Sequence, residues 1–300
     1  MNHLHVGTVS RTFFAVPLWI GMKHGFFRDE GIEVEVSIFG NASQVEPLVS
    51  EHMHLALASP EVVLHNAQQG GPLRFVAGNA GKLSHFLIAR PRFKRVEDLR
   101  GATIGILNKM EGTFFQLQEI MAAHGMKYPG DYRVTETGGA PPRHQALLEG
   151  SIDAGLQSIP WVYLEEEAGL SNLGNAGDYV PDWQFTTLNV SRDWAAQNRG
   201  VLVRFLRAML KSTAWMHLNR DATAALVQEK MHMSRVHAGR GWDYYTTRGV
   251  LPRDLALNRK GLAKVIAAQI LAGLLPPQAS AEPGDYIEPA YLDEARASLT

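Results

Sequence analysis

The stretch VGTVSRTFFAVPLWIGMKHGFFRDEGIEVEVSIF, residues 6–39, decides the fold of this chain. Its pattern predicts a strand, a polar loop (Ser10-Arg11-Thr12), a helix that ends just before Gly25, and a second strand. These elements form a βαβ unit in which the polar loop follows the carboxyl end of the first strand. Because open α/β sheets bind ligands at that edge, the loop is predicted to contribute to a binding site.

A second, altered copy of this stretch follows close to one hundred residues later. Val6-Gly7-Thr8 matches Ile104-Gly105-Ile106, and residues 48–59 (LVSEHMHLALAS) match residues 147–158 (LLEGSIDAGLQS). The common order and spacing of these matches predict two similar lobes, each built on its own sheet. The alternative, that α/β units simply share periodicities, remains open at this point.

The repeat predicts an α/β fold of two similar doubly wound lobes joined by two crossings, with the ligand in the cleft between them. Residues 85–89 are predicted as the last strand before the first crossing, and residues 185–190 as a strand that returns the chain to lobe one. The predicted boundaries are residues 1–88 plus 190–300 for lobe one, 90–188 for lobe two, crossings near 86–92 and 185–191, and hinges near Ala89 and Leu188.

Composition excludes several classes of protein. The chain has 300 residues, 45% of them hydrophobic, and 29 basic against 30 acidic residues, so no nucleic-acid or anionic-membrane surface is expected.

The apolar run at residues 13–22 contains Pro17 and Gly21 and belongs to the βαβ unit, so it is predicted to be neither a signal peptide nor a membrane span. With no cysteine, disulfides and thiol catalysis are excluded. A periplasmic location is expected if a leader has been removed, and a cytoplasmic one otherwise.

Short motifs that belong to one fold run nearly from end to end. They are Gly25-Phe26-Phe27 with residues 31–34, residues 71–74, residues 98–101 with Ile104-Gly105, residues 146–150 with Asp153-Ala154, and residues 286–295. In these motifs the chain resembles the periplasmic solute-binding proteins of ABC importers in the nitrate, sulfonate and taurine group, which also contains binders of thiamine-pyrimidine precursors. The resemblance implies a two-lobed binding-protein fold and an ABC permease as partner, and it hardly specifies the ligand.

The chain departs from that family at two positions of the first lobe. The family normally carries a glycine before the buried strand and an aspartate that opens it, where this chain has Glu51 or His52 and then His54. The second lobe keeps both residues, as Gly150 and Asp153. The cysteine-rich signature of the pyrimidine synthases in this superfamily is absent, which argues against that activity.

Two arginines are the candidate anchors for an anion. Arg11 could donate two parallel N–H bonds to a carboxylate or sulfonate, and its alternative role is a rim arginine paired with a local carboxylate. Arg143, at a predicted helix start, is the second candidate. Thr113 and Gln116 form a capping-box pattern, so the helix after them is predicted to direct free N–H groups toward the ligand, or to be simply a capped helix. Lys109 is a further possible anchor.

Aromatic and histidine side chains at strand ends have two possible roles each. Phe13, Phe114, Trp161 and Trp183 could stack on a planar solute or fill the core, and at least one is expected to line the ligand pocket. Paired histidines on single strands lack a third placed ligand, so no metal site is predicted. No known catalytic motif or cofactor loop occurs, so no cofactor is predicted.

These observations predict a monomeric solute-binding protein that closes on a small, anionic and partly planar organic solute. The alternative is an enzyme on the same scaffold, a decarboxylase or dehydratase of an aromatic acid that uses His85, Glu111 and His144, and a sensory module is a third possibility. The predicted ligand-binding residues are Ser10, Arg11, Thr12, Phe13, Asn41, Ser59, Glu61, His85, Asn108, Glu111, Thr113, Phe114, Gly139, Arg143, Ser158 and Trp161.

Overall fold

The computed structural model describes residues 1–40 and 42–299, and the chain divides into two compact units. The first unit comprises Met1–Lys82 with Trp183–Thr300, and the second comprises Leu83–Asp182. Each unit contains one sheet of five strands, flanked by helices. None of the helices in the described residues has the length and apolar character needed to span a lipid bilayer.

The sheet of the first unit has the strand order β2-β1-β3-β10-β4. Its strands are β1 (Asn2–Thr8), β2 (Ile32–Ile38), β3 (Leu55–Ala58), β4 (Leu73–Gly78) and β10 (Thr187–Ser191). Its helices are α1 (Val16–Lys23), α2 (Phe26–Asp29), α3 (Val45–Val49), α4 (Glu61–Gln68), α9 (Arg192–Gln197), α10 (Arg199–Leu218), α11 (Arg220–Met231), α12 (Arg235–Thr247), α13 (Arg259–Leu271) and α14 (Ala290–Ala297), with 3-10 turns at Phe13–Ala15 and Pro283–Tyr286.

The sheet of the second unit has the strand order β7-β6-β8-β5-β9. Its strands are β5 (His85–Ala89), β6 (Thr103–Ile106), β7 (Arg133–Glu136), β8 (Ala154–Ser158) and β9 (Ser171–Asn175). Its helices are α5 (Gly112–Ala123), α6 (Ala140–Glu149), α7 (Trp161–Glu167) and α8 (Ala176–Tyr179), with a 3-10 turn at Val96–Leu99.

The two sheets share one topology, which confirms the predicted repeat. β1 runs parallel to β2 and β3, and β6 runs parallel to β7 and β8. Val6 pairs in register with Val36, and Ile104, the residue that matches Val6, pairs with Val134. The matching residues therefore occupy equivalent central strands, as the spacing of the two copies predicts.

Gly7 and Gly105 recur because one packing contact recurs. A Cβ atom at Gly7 would lie 2.5 Å from the side chain of Met53, and one at Gly105 would lie 2.6 Å from Ile152. Met53 and Ile152 are themselves matching residues of the two copies, each just before a buried strand. Each glycine thus leaves room for a large side chain to pack across its strand.

One strand assignment from the sequence is wrong. Residues 85–89 were expected to end the first lobe, but β5 lies antiparallel between β8 and β9 in the second sheet. In the same way, β10 lies antiparallel between β3 and β4 in the first sheet. The boundaries between the units follow Lys82 and Asp182, so they precede the predicted crossings, and the predicted hinge residues Ala89 and Leu188 lie inside strands.

His54, which replaces the aspartate of the second copy, accepts the same kind of backbone hydrogen bond as that aspartate. In the second unit, Asp153 Oδ2 accepts a hydrogen bond from the backbone N–H of Thr103, the first residue of β6 (3.0 Å). In the first unit, His54 Nδ1 accepts from the backbone N–H of His5 in β1 (2.8 Å). The histidine therefore performs the same backbone contact as the aspartate, as long as its Nδ1 carries no proton.

The departure at Glu51 concerns the backbone. Glu51 has a φ of 63° and Gly150, its match in the second copy, has a φ of 78°. Both residues end a helix in the left-handed region, which glycine adopts without the steric penalty of a Cβ atom. The first unit therefore keeps the turn without the residue type that favours it.

The long helix α10 packs its apolar face into the first unit and fixes α2 at the same time. Leu202, Phe205 and Met209 are fully buried along this helix. On its other side, Arg207 and Lys211 both donate to the buried carboxylate of Glu30, with Lys211 Nζ at 2.7 Å. These bonds lower the pKa of Glu30 against the opposing effect of its burial.

Candidate functional site

The second unit contains a group of buried polar side chains where β6 and β8 end and β5 begins. We call this group the polar cluster. It consists of His85, Glu111, Arg143, Gln157, Ser158 and Glu165. Glu111 is the most exposed of the six, and only 6% of its surface is accessible. The carboxyl ends of parallel strands are the edge at which such sheets bind ligands.

Arg143 is the cation of the polar cluster. It lies on α6, is 3% exposed, and donates from Nη1 to the carbonyl of Gly138 at 2.7 Å. Its Nε is buried and has no hydrogen-bond partner within the described residues. Burial lowers the pKa of Arg143, and the carboxylates of Glu111 and Glu165 act in the opposite direction. A guanidinium remains charged under these conditions, so a positive charge lies in the interior of this unit.

Glu165 extends the polar cluster toward α7. Its Oε1 accepts from Gln157 Nε2 at 2.6 Å and lies 3.1 Å from Nδ1 of His144. Its Oε2 is buried and has no hydrogen-bond partner among the described residues. Burial raises the pKa of Glu165, and the hydrogen bond with His144 opposes this shift.

Glu111 is the N-cap of α5, so the capping box predicted at Thr113 is wrong. The helix starts at Gly112 with Glu111 as its N-cap, so Thr113 lies inside the first turn. The hydroxyl of Thr113 donates to the Glu111 carboxylate, and burial raises the pKa of Glu111. Gln116 does not reach back to the cap, because its side chain is fully buried and neither of its polar atoms has a partner within the described chain.

His85 and Ser158 occupy opposed positions on β5 and β8, so their side chains share one face of the sheet. Burial lowers the pKa of His85 to about 3, and the positive charge of Arg143 acts in the same direction. His85 is therefore neutral near pH 7. The hydroxyl oxygen of Ser158 is buried and has no hydrogen-bond partner in the described part of the chain.

At the corresponding edge of the first sheet, several neutral side chains bond to each other. Asn79 Nδ2 donates to Thr186 Oγ1 at 3.0 Å. Thr187 Oγ1 donates to Asn189 Oδ1 at 2.6 Å, and Asn189 Nδ2 donates to Gln44 Oε1 at 3.2 Å. In the repeat, Gln44 is the residue that matches Arg143.

Several predicted site residues of the first unit have other surroundings. Phe13 is fully buried and stacks on Tyr245 with ring centroids 4.4 Å apart, and Trp183 is 3% exposed. Both are core residues, which is the alternative role that the sequence allows for them. Thr12 is buried, Ser10 and Ser59 are half-buried, and Glu61 is buried at the start of α4. Asn41 lies outside the described residues.

Arg11 is exposed and lines a cavity of 600 Å³ that the first unit forms by itself.

The remaining predicted residues lie in the second unit. Gly139 is the N-cap of α6, and Trp161 begins α7 with its ring 5.3 Å from that of His144. Asn108 accepts from the backbone N–H of Met110 at 2.9 Å, so it stabilises its own loop. Phe114 is buried and packs edge-on against Tyr128, which matches its alternative role in the core.

The structure thus brings His85, Glu111, Arg143 and Ser158 to one edge, and it adds Gln157 and Glu165, which the sequence did not single out. Gln157 could have been found, since it is a lone amide in a short strand of small and apolar residues. No group of three histidine, aspartate or glutamate side chains within the described residues could hold a metal ion.

Comparison with known proteins gives a family and a fold. The family model described as NMT1/THI5 like matches residues 14–223. YtlA of Bacillus subtilis (strain 168), named as a binding protein, is 23% identical over 239 residues, which cover 76% of this chain and 71% of YtlA.

Three solved structures show how widely the fold is shared. The periplasmic nitrate-binding protein NrtA from Synechocystis PCC 6803 superposes with a TM-score of 0.85 at 12% identity, over 100% of this chain and 89% of NrtA. The alkanesulfonate-binding protein SsuA from Xanthomonas axonopodis pv. citri, bound to MOPS, gives 0.76 at 16% identity, over 96% and 99%. The desulfurization enzyme DSZB gives 0.70 at 15% identity, over 100% of both chains. At these identities the likeness shows the fold alone.

Proposed function

The chain belongs to the NMT1/THI5-like family, and we propose that it is the solute-binding protein of an ABC importer, with a small, partly planar organic anion as its ligand. Its fold is shared with proteins named for binding nitrate and alkanesulfonate, and its relative YtlA is named as a binding protein. In this role the protein works as a monomer in the periplasm and delivers its solute to an ABC permease.

One observation carries the proposal, namely the unsatisfied polar atoms of the second unit. Arg143 Nε, Ser158 Oγ and Glu165 Oε2 are buried without hydrogen-bond partners in the described residues. Each such atom costs about 1–3 kcal/mol when nothing replaces its lost water. A bound solute that hydrogen-bonds to these atoms would remove that cost, so the arrangement suits a ligand site better than a core.

The charges of the polar cluster select the ligand. Arg143 offers Nε to a negatively charged oxygen, as a charge-assisted hydrogen bond requires. Glu111 has a raised pKa because it is buried. Once protonated, it donates a hydrogen bond to an anion instead of repelling it. Arg11, which the sequence predicts as an anchor, supplies an exposed cation in the first unit.

The experiment is titration calorimetry with the solute that native mass spectrometry identifies on freshly purified protein. Ser158→Ala removes an unsatisfied hydroxyl, so the free energy of unfolding without ligand should rise by about 1–3 kcal/mol while Kd rises about tenfold. Arg143→Lys keeps the charge but lacks Nε, so Kd should rise by about tenfold or more. The control is Ser151→Ala, at an exposed serine of the same unit, which should bind like wild type. If both cluster variants bind like wild type, the proposed site is wrong.

An enzyme on this scaffold is the second candidate, because the fold is shared with a protein named as a desulfurization enzyme. The neutral His85 and the buried Glu111 would then be the acid and base groups, with His144 beside Glu165. Incubation with aromatic carboxylic and sulfonic acids, followed by chromatography, separates the two candidates. Conversion beyond one equivalent per protein would establish the enzyme and reject simple binding.

A further inference from the structure

The cavity beside Arg11 lies entirely within the first unit, at the side where β1 and β2 end. Its volume is 600 Å³, within the range of about 300–1,000 Å³ that is typical of small-molecule sites. One wall is apolar and consists of Trp19 and Met22 from α1 with Val36 and Ile38 from β2. Cations approach the other side, from the loop after β1 and from the end of α11.

The apolar wall is unusual for a surface of this chain. Met22 is 42% exposed and Ile38 is 50% exposed, and they belong to the few large apolar side chains that remain accessible among the described residues. Both line one cavity together with Trp19. Apolar side chains that remain accessible together in a concave site point to a ligand with an apolar body.

The charge of the cavity is positive, although the chain as a whole has a formal charge of −1. Glu229 lies 3.0 Å from Lys23 Nζ and 3.1 Å from Lys230 Nζ, so one carboxylate serves two lysines. Arg11 and His232 line the same cavity, and neither has a hydrogen bond or an ion pair to another described residue. The cations therefore exceed the carboxylate, and Arg11 has its full guanidinium available for an anion.

We propose that this cavity is a second ligand site, which binds an aromatic monocarboxylate or monosulfonate. The anionic group lies between Arg11 and Lys230, and the ring lies against Trp19 and Ile38. The site includes no residue of the polar cluster and no residue of the second unit. It stands or falls independently of the proposed function.

The test uses 2-naphthoate as the probe, with titration calorimetry and equilibrium dialysis to count binding sites. Arg11→Ala and Lys230→Ala should each raise Kd for this site by about tenfold or more, or abolish one equivalent of binding. Arg253→Ala and Lys264→Ala remove the same charges from exposed positions of the same unit outside the cavity, and they should bind like wild type.

Two further experiments separate the contribution of the charges from that of the shape of the cavity. The neutral 2-naphthamide should bind about ten times more weakly than 2-naphthoate if the cations hold the anionic group. Ile38→Trp fills the cavity without changing its charge and should abolish binding there. Because Arg11, Lys230 and Ile38 are all exposed, melting temperatures of these variants should stay close to wild type. Equal binding of wild type, Arg11→Ala and Lys230→Ala, or equal binding of the amide and the acid, would overturn the proposal.

Discussion

The two sheets have the same strand topology and differ in what they carry at the edge where their parallel strands end. In the first sheet, the neutral side chains of Gln44, Thr187 and Asn189 bond to each other, and the cation Arg11 at this edge is exposed. In the second unit, Arg143 carries a buried positive charge, and both Arg143 and Glu165 retain buried atoms without partners in the described residues. Gly7 and Gly105, which admit a packed side chain, recur in the two copies, whereas Gln44 and Arg143, which set the charge at this edge, do not. A repeat of this kind therefore separates the requirements of the fold from those of the site.

The largest expected effect tests this contrast at one matched pair of positions. Arg143→Met leaves the carboxylates of Glu111 and Glu165 buried without their cation, so unfolding should become easier by about 3–5 kcal/mol at pH 7. Gln44→Met removes one neutral hydrogen bond to Asn189 and should cost only about 1–2 kcal/mol. Urea unfolding followed by circular dichroism measures both values. If both variants lose the same free energy of unfolding, the buried charge at the edge of the second sheet contributes no more than the neutral hydrogen bond at the edge of the first.

A smaller effect is expected at His54, where the first unit has a histidine in the place of Asp153. Burial lowers the pKa of His54, and the charge on His5 acts in the same direction. The unfolded chain therefore takes up the proton first as the pH falls below about 6.5, and the stability that depends on a neutral His54 is lost over that range.

His54→Asp should remove this acid sensitivity, because a carboxylate still accepts from the N–H of His5 at pH 5. We expect the variant to match wild type at pH 7 and to exceed its free energy of unfolding by about 1 kcal/mol at pH 5. The control is His52→Asp at an exposed neighbouring position, which should leave the pH dependence unchanged. An unchanged pH profile in His54→Asp would show that the histidine is not the acceptor that matters.

The smallest expected effect concerns the left-handed residues Glu51 and Gly150. Glu51→Gly removes a steric penalty of about 1–2 kcal/mol and adds an entropic cost of about 0.5–1 kcal/mol, so a net gain of about 0.5 kcal/mol is expected. Gly150→Ala should instead destabilise by at least about 1 kcal/mol, since its Cβ would also lie 3.1 Å from Arg90. Thermal unfolding measures both. A loss of stability in Glu51→Gly would show that the glutamate has a role beyond its backbone conformation.

The repeat could be predicted from the sequence because the packing of the backbone requires particular residue types at particular positions. Gly7 and Gly105 recur, since each must admit a side chain across its strand. The strand β5 was assigned to the wrong sheet because a short apolar strand fits either one, and its partners β8 and β9 are distant in sequence. Local patterns do not specify a pairing of that kind.

The candidate site was only partly predictable for a related reason. Arg143 and Glu111 drew attention through their charge and their position after strands. Gln157 and Glu165 did not, because a polar side chain becomes informative only when it is known to be buried. The prediction of a capping box at Thr113 is wrong because Glu111, two residues earlier, has the extended conformation of the N-cap.

The position of β10, which follows the whole second unit in sequence but lies in the first sheet, affects the order of events during synthesis at the ribosome. Residues 83–182 leave the ribosome as one continuous stretch that contains all five strands of the second sheet. The first sheet lacks β10 until Thr187–Ser191 has been made, so the edges of β3 and β4 that receive it have unpaired backbone groups until then. The sheet whose first strand is made earlier is therefore the one that is completed later.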